Sequence, residues 1–215
     1  MFKDRSDAGQ KLAEKLARYR GSDAVVLSLP RGGVVVGREI ARTLGLPLDI
    51  IAIRKIGHPF SPEYAIGAVD DKKAVLLNDS ETESVNQAWL ADEIEREIQE
   101  AKRRVKAYRG PRKPVSIPGK VALIVDDGIA TGLTMRLAVR SVRAQSPERI
   151  VVAVPIAPVE TINNLRKEAD EVVILEPPEE FLGVVGAHYI EFKQVEDAEV
   201  IRLLSEDQQE KPSID

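Results

Sequence analysis

Two adjacent acids, Asp126 and Asp127, close the apolar run 121-VALIV-125, and the loop Gly128-Ile129-Ala130-Thr131-Gly132 follows, with Thr134 just behind it. Gly128 and Gly132 permit backbone angles that other residues resist. The amides of 128–132 can therefore turn inward as an anion cradle. A helix starting near Gly132 adds the positive end of its dipole, and Thr131 and Thr134 add hydroxyls. A phosphate monoester suits such a cup. The loop is not a Walker A sequence, because no Gly-Lys-Ser/Thr follows. Carboxylates beside the cup would repel a phosphate unless they face something else. An ionised carboxylate only accepts hydrogen bonds, and a sugar diol supplies two donors. The stretch reads as a clamp for a ribose 5-phosphate; the bland alternative is Asp127 as a simple turn cap.

Two other stretches carry unusual chemistry. In 28-SLPRGG-33, Pro30 precedes Arg31, whose guanidinium can pair with phosphate oxygens, while Gly32 and Gly33 let the backbone approach an anion. The alternative is an ordinary strand-to-helix turn. In 54-RKIGHP-59, Arg54 and Lys55 place two cations together, which could equally be a solvated strand end. His58 and Glu63 sit in the Gly/Pro-rich segment 57-GHPFSPEY-64, read as a loop.

These stretches must be held by elements. Residues 5–20 read as an amphipathic helix with Ala8, Leu12, Leu16 and Tyr19 on one face. Strands are expected at 24–30, 48–55, 121–127, 149–157 and 172–177. Helices are expected after Gly33 (ending at Gly45 and Pro47), at 132–144 and near 159–169. A hairpin is expected from 65–69 and 74–78, and a long helix at 84–108 with Leu90, Ile94, Ile98, Ala101, Val105 and Tyr108 as its buried stripe. Apolar strands that barely alternate, separated by helices, imply an α/β fold: a doubly wound, mainly parallel five-stranded sheet. Ligands of such sheets bind at the carboxyl ends of the strands, where the three unusual stretches fall. The expected organisation is one domain over 1–204, with a flexible polar tail at 205–215.

Bulk properties narrow the options. The chain has 215 residues, 43% hydrophobic, with a net charge of −4. That supports a globular core, and no basic tract points to nucleic acid. With no cysteine and two histidines, disulfides, thiolate metal sites and a His-rich zinc site are excluded. No apolar run approaches membrane-spanning length and the first residues lack a signal core, so a cytoplasmic protein without membrane partners is expected. An aspartyl phosphotransferase is disfavoured. The haloacid dehalogenase pattern places its nucleophile where Val125 stands, and receiver domains carry their acid pair on the first strand.

The stretch 122-ALIVDDGIATGLT-134 closely resembles the phosphoribosyl pyrophosphate (PRPP) motif of type I phosphoribosyltransferases: four apolar residues, two acids, then a Gly/Thr-rich loop between strand and helix. The resemblance implies 5-phosphate binding by Gly128, Ile129, Ala130, Thr131, Gly132 and Thr134. Pyrophosphate would bind at Pro30, Arg31, Gly32 and Gly33 with Arg54 and Lys55; Asp126, Asp127 and Lys55 would serve catalysis. It further implies a mobile lid at 57–64, a hood from about 1–20 and 178–195, magnesium as cofactor with no firm protein ligand, and an unidentified base or amine as acceptor. Phe181, Tyr189 and Phe192 are candidates to stack on that acceptor, or are local core. A homodimer is the base-rate expectation. The marks 4-DRSDAG-9, 54-RKIGHPFSPEYAIGAV-69 and 186-GAHYIEFKQV-195 make the chain similar to a group of predicted phosphoribosyltransferases of unsettled substrate. The long 84–108 helix departs from the classical enzymes. A PRPP-sensing regulator with the same fold is the alternative to an enzyme.

Overall fold

The computed structural model describes residues 1–175 and 181–209. In chain order the strands are β1 (Ala24–Ser28), β2 (Leu48–Ile50), β3 (Ile53–His58), β4 (Ser61–Asp70), β5 (Val75–Leu77), β6 (Val121–Val125), β7 (Arg149–Val154) and β8 (Glu171–Ile174). The α-helices are α1 (Arg5–Lys15), α2 (Gly32–Leu44), α3 (Asp79–Thr82), α4 (Gln87–Arg109), α5 (Leu133–Arg143), α6 (Val159–Leu165) and α7 (Asp197–Gln209).

Five strands form a parallel sheet in the order β2-β1-β6-β7-β8. All of β1 is buried, and its side chains alternate between two cores. Val26 packs with Leu12, Ile40, Leu44 and Leu204 on the α1, α2 and α7 side. Val25 and Leu27 pack with Met135, Val142 and Ile162 on the α5 and α6 side. The period-2 alternation of a strand covered on both faces explains why β1 reads as a continuous apolar run. Ala8, Leu12, Leu16 and Tyr19 are buried as their spacing implies. Gly45 ends α2 at φ 68°, a left-handed angle that favours glycine.

The strand order turns at β1, whose neighbours are β2 on one side and β6 on the other. That is the topological switch point of a doubly wound sheet. The turn after β1 and the loop after β6 are therefore brought side by side.

Three expectations need correction. The run 48–55 is not one strand. Ile53 N–H donates back to the Ile51 carbonyl at 3.1 Å, a three-residue turn that redirects the chain. Residues before it stay in the parallel sheet, and those after it enter a second, antiparallel sheet of order β3-β4-β5. Segment 57–64 is not an open loop. It is the tip of the β3–β4 hairpin, with His58 opposite Ser61 and a register shift at Gly57. A Cβ on Gly57 would collide with the Pro62 carbonyl; a bulge and a tight turn draw on the same Gly/Pro chemistry as a loop. Finally, 205–209 continue α7 rather than opening a tail, and 210–215 lie outside the described residues.

The β4–β5 hairpin forms as expected, its turn held by Asp70 Oδ1, which accepts from the amides of Lys72 and Ala74. Helix α4 starts at Asn86, whose side chain accepts from Trp89 N–H. Leu90 and Ile98 bury against Ile56, Ile66 and Val69 of the second sheet. This long helix thus backs the hairpin.

Candidate active site

The loop after β6 is shaped by two glycines. Gly132 takes φ 84° and is the N-cap of α5, with no side chain to cap it. The first-turn amides of α5 consequently keep the unpaired donors that a capping hydroxyl would satisfy. A Cβ on Gly128 would collide with Val185 and come within 2.8 Å of Ile156 Cγ2. The loop is laced to the segment after β7. Ile129 N–H donates to the Ile156 carbonyl at 2.9 Å, and Thr161 Oγ1–H donates to the Ala130 carbonyl at 2.9 Å. One of the five amides expected in the cradle, that of Ile129, is therefore committed to holding the loop. Gly128, Ala130, Thr131 and Gly132 donate their amides to nothing among the described residues. Ala130 and Thr131 are exposed and Thr134 is half-buried. Beside Thr131 and Leu133 opens a largely polar pocket of about 400 Å³, walled by Tyr64, Asn78, Asp79, Ser80 and Arg136.

The acid pair sits between this loop and the turn after β1. Asp126 Oδ1 accepts from Asp127 N–H at 2.8 Å. Burial first, then the neighbouring Asp127 charge, push the Asp126 carboxyl well above the usual carboxylate range. Asp127 Oδ2 accepts from Arg5 Nε–H at 2.7 Å, and the Asp127 carbonyl accepts from the Tyr189 hydroxyl at 2.5 Å. A Cβ on Gly33 would lie 2.9 Å from Asp126 Cα, and one on Gly32 would overlap the Asp127 carboxylate. These glycines admit the acid pair itself, a use beyond the anion approach expected of them. The Pro30–Arg31 peptide is cis. The Arg31 guanidinium lies 3.5 Å from Asp197 and 3.9 Å from Glu196, where α7 begins.

Arg54 and Lys55 belong to the hairpin. Arg54 Nε–H donates to Glu97 Oε2 at 2.7 Å, and Lys55 donates to Glu63 at 2.6 Å. The Lys55 hydrogen bond holds the Glu63 carboxyl below its ordinary range. Together with His58, Trp89 and Arg96 they line a pocket of about 310 Å³ between hairpin and α4. Among the described residues, no hydrogen bond or ion pair joins Arg54 or Lys55 to the Pro30–Gly33 turn.

The two expected hood pieces pair with each other. Phe2 N–H donates to the His188 carbonyl, and Ile190 and Glu191 donate back to Phe2 and Lys3. Residues 178–180 lie outside the described residues. Tyr189 is buried among Phe2, Ala8 and Ile156, so its ring is core and its hydroxyl serves Asp127. Phe181 stacks on His188 at 5.2 Å. Phe192 lies under the Arg5 guanidinium, 3.8 Å from its ring centroid. Arg5 is the site residue that sequence reasoning missed. Its signal was the 4-DRSDAG-9 start, noted as a family mark but given no chemistry. Asp4 caps α1 by accepting from Asp7 N–H, which leaves Arg5 as the first helical residue, in contact with Asp127.

Comparisons with known proteins bear on the fold and the family. Proteins of two Mycobacterium tuberculosis strains, each named provisionally as a phosphoribosyl transferase, are 42% identical over 206 residues. The match covers 95% of this chain and 46% of theirs, so the chain spans about half the length of the curated relatives it matches. The crystal structure of TT1426 from Thermus thermophilus superposes with a TM-score of 0.79 at 41% identity, covering 96% of this chain and 98% of that one. The AQ2163 protein of Aquifex aeolicus shares the fold at a TM-score of 0.52 and 12% identity, covering 83% of this chain and 78% of that one. Residues 3–190 match the phosphoribosyl transferase domain, a span that contains the acid pair, the glycine loop and the turn after β1. The chain belongs to the phosphoribosyl transferase domain family.

Proposed function

We propose that this protein transfers the 5-phosphoribosyl group of PRPP to a nitrogen nucleophile, releasing pyrophosphate. The observation that carries the reading is the uncapped start of α5 at Gly132, at the end of a loop that begins with an acid pair packed against the turn after β1. The free amides of 128 and 130–132, with Thr131 and Thr134, supply donors for the 5-phosphate. Asp127 supplies acceptors for the sugar hydroxyls. Gly32, Gly33 and Arg31 supply backbone and a cation for pyrophosphate. Lys55, which the structure holds on Glu63 of the same hairpin, is the further cation this reading assigns to pyrophosphate.

In the reaction the anomeric carbon–oxygen bond breaks and its electron pair leaves with pyrophosphate. A carbon–nitrogen bond forms, and the nucleophile's proton goes to solvent or the leaving group. The protein contributes orientation and stabilisation of separating charge. The acid pair does not fit a protein-built magnesium site. Asp127 is paired with Arg5 and Asp126 accepts from a backbone amide. No group of three His, Cys, Asp or Glu among the described residues is placed to hold a metal. Magnesium would enter with the substrate rather than on a protein site, and would supply a hard cation to offset phosphate charge.

The acceptor is a nucleobase or related amine. A screen for pyrophosphate release with PRPP, magnesium and a panel of bases and amines identifies it. Asp127→Asn should weaken PRPP binding by about 1.5–3 kcal/mol, the worth of hydrogen bonds to a charged group, as read by calorimetry with magnesium. Unchanged affinity removes Asp127 from the sugar site, and absence of both release and PRPP binding overturns the function.

A further inference from the structure

We propose that Arg5 is a positioning residue for the acid pair: from the hood it fixes the Asp127 carboxylate and sets a fixed positive charge beside the pair, leaving the other carboxyl oxygen of Asp127 to accept from the sugar. This rests on the proposed PRPP reading of the same site.

The geometry around Arg5 is that of a built support. Nε–H donates to Asp127 Oδ2 at 2.7 Å and Nη1–H donates to the Lys193 carbonyl at 2.6 Å. The flat face of the guanidinium covers Phe192. Three contacts with three different residues hold a side chain that would otherwise sample many rotamers. The Arg5 and Asp127 side chains are only 11% and 16% exposed, so the pair is not a solvated surface bridge. Asp127 Oδ1 receives no hydrogen bond among the described residues, which leaves acceptor capacity for a ligand. The hood grips Asp127 a second time through Tyr189 and its main-chain carbonyl. Side chain and backbone of one residue are thus both set from outside the loop that carries it. A Cβ on Gly32 would lie 2.8 Å from Arg5 Nε, so the same guanidinium also abuts the turn after β1.

Charge explains why an arginine is needed there. Two adjacent carboxyl groups repel, and the second proton is hard to lose. Facing the pair are Arg5 from α1, the neutral Tyr189 hydroxyl from the hood, and backbone of the Gly32–Gly33 turn. Arg5 acts against the upward shift that burial and Asp127 impose on Asp126. A protonated carboxyl donates where the sugar needs an acceptor. Removing Arg5 therefore extends the protonated form to higher pH and frees Asp127 to rotate.

The test has two arms, using the full chain and the variants Arg5→Gln and Arg5→Lys. In the first, with no ligand, aspartate carboxyl titrations are followed by carbon NMR. Arg5→Gln should raise the Asp126 titration by about one pH unit or more, the effect of losing a nearby opposite charge. In the second, calorimetry with PRPP and magnesium is run as a pH series. Arg5→Gln should bind about tenfold more weakly at the acid end, where the raised titration leaves about a tenth as much ionised carboxylate, and approach wild type as pH rises. Arg5→Lys keeps the charge but not the fork; it should titrate near wild type and recover binding in part, and it stands in where glutamine fails to fold. An unchanged carboxyl titration overturns the proposal, as does a loss of affinity equal at every pH, the signature of a hood merely loosened. A wild-type protein that binds no PRPP overturns the proposed function, while the ligand-free arm still decides whether Arg5 governs the pair.

Discussion

At the residue scale the site is governed by how close two carboxyl groups and two glycine turns are forced to lie. Asp126 has its carboxyl lifted above the unfolded value of about 3.9 by burial and by Asp127. A carboxyl lifted by folding favours the folded state fully below the unfolded pKa. That contribution is lost as pH rises through the folded pKa, because the folded protein must release a proton it holds tightly. Asp126→Asn has no such proton to lose. Its stability relative to wild type should therefore improve from about pH 4 upward, measured as urea midpoints across pH. A difference that stays flat with pH would show that Asp126 ionises freely. The uncommon closeness of the turn and the acids also explains Gly32 and Gly33, where any side chain would strike Asp127 or Asp126.

At the element scale, the hairpin of β3 and β4 is attached to α4 by a pair that the sequence did not advertise. Glu97 keeps only 4% of its side chain exposed and pairs with Arg54 at 2.7 Å and Arg96 at 2.8 Å. Read as a helical stripe, position 97 lies beside Ile98 and looks like one more surface acid. It is buried because a second sheet packs there, and only the contact surface reveals that sheet. Glu97→Ala should destabilise the protein by roughly 2–3 kcal/mol, less than for a fully buried pair because Arg54 keeps 25% exposure. Chemical denaturation measures the loss. A change below about 0.5 kcal/mol would mark the pair as an ordinary surface contact.

At the scale of the whole molecule, α4 and α7 meet behind the turn after β1. Tyr108 is buried, and its hydroxyl donates to Asp197 Oδ1 at 2.6 Å, while Arg103 and Arg31 approach the same carboxylate. Burial, with the Asp197 hydrogen bond second, pushes the Tyr108 hydroxyl up to about 12. Tyr108→Phe should cost about 1–2 kcal/mol and remove a step near pH 12 from an ultraviolet phenolate titration. Retention of that step would assign it to another tyrosine. The Asp197 cluster ties two helices remote in sequence to Arg31, and so couples the far end of the chain to the turn facing the acid pair.

Much of this protein was legible from its residues. The apolar runs of β1, β6 and β7, the stop at Gly45 and the acid-glycine loop each depend on local chemistry: period, backbone freedom and hydrogen-bonding capacity act within a few residues. The doubly wound, mainly parallel sheet follows from chirality acting on that alternation. What tertiary structure alone decided is who faces whom. The bend at Ile51–Ile53, the burial of Glu97, the commitment of the Ile129 amide to Ile156 and the seating of Arg5 on Asp127 all join positions far apart in sequence or redirect the chain between sheets. Such pairings depend on burial and direction in space, which no local spacing encodes.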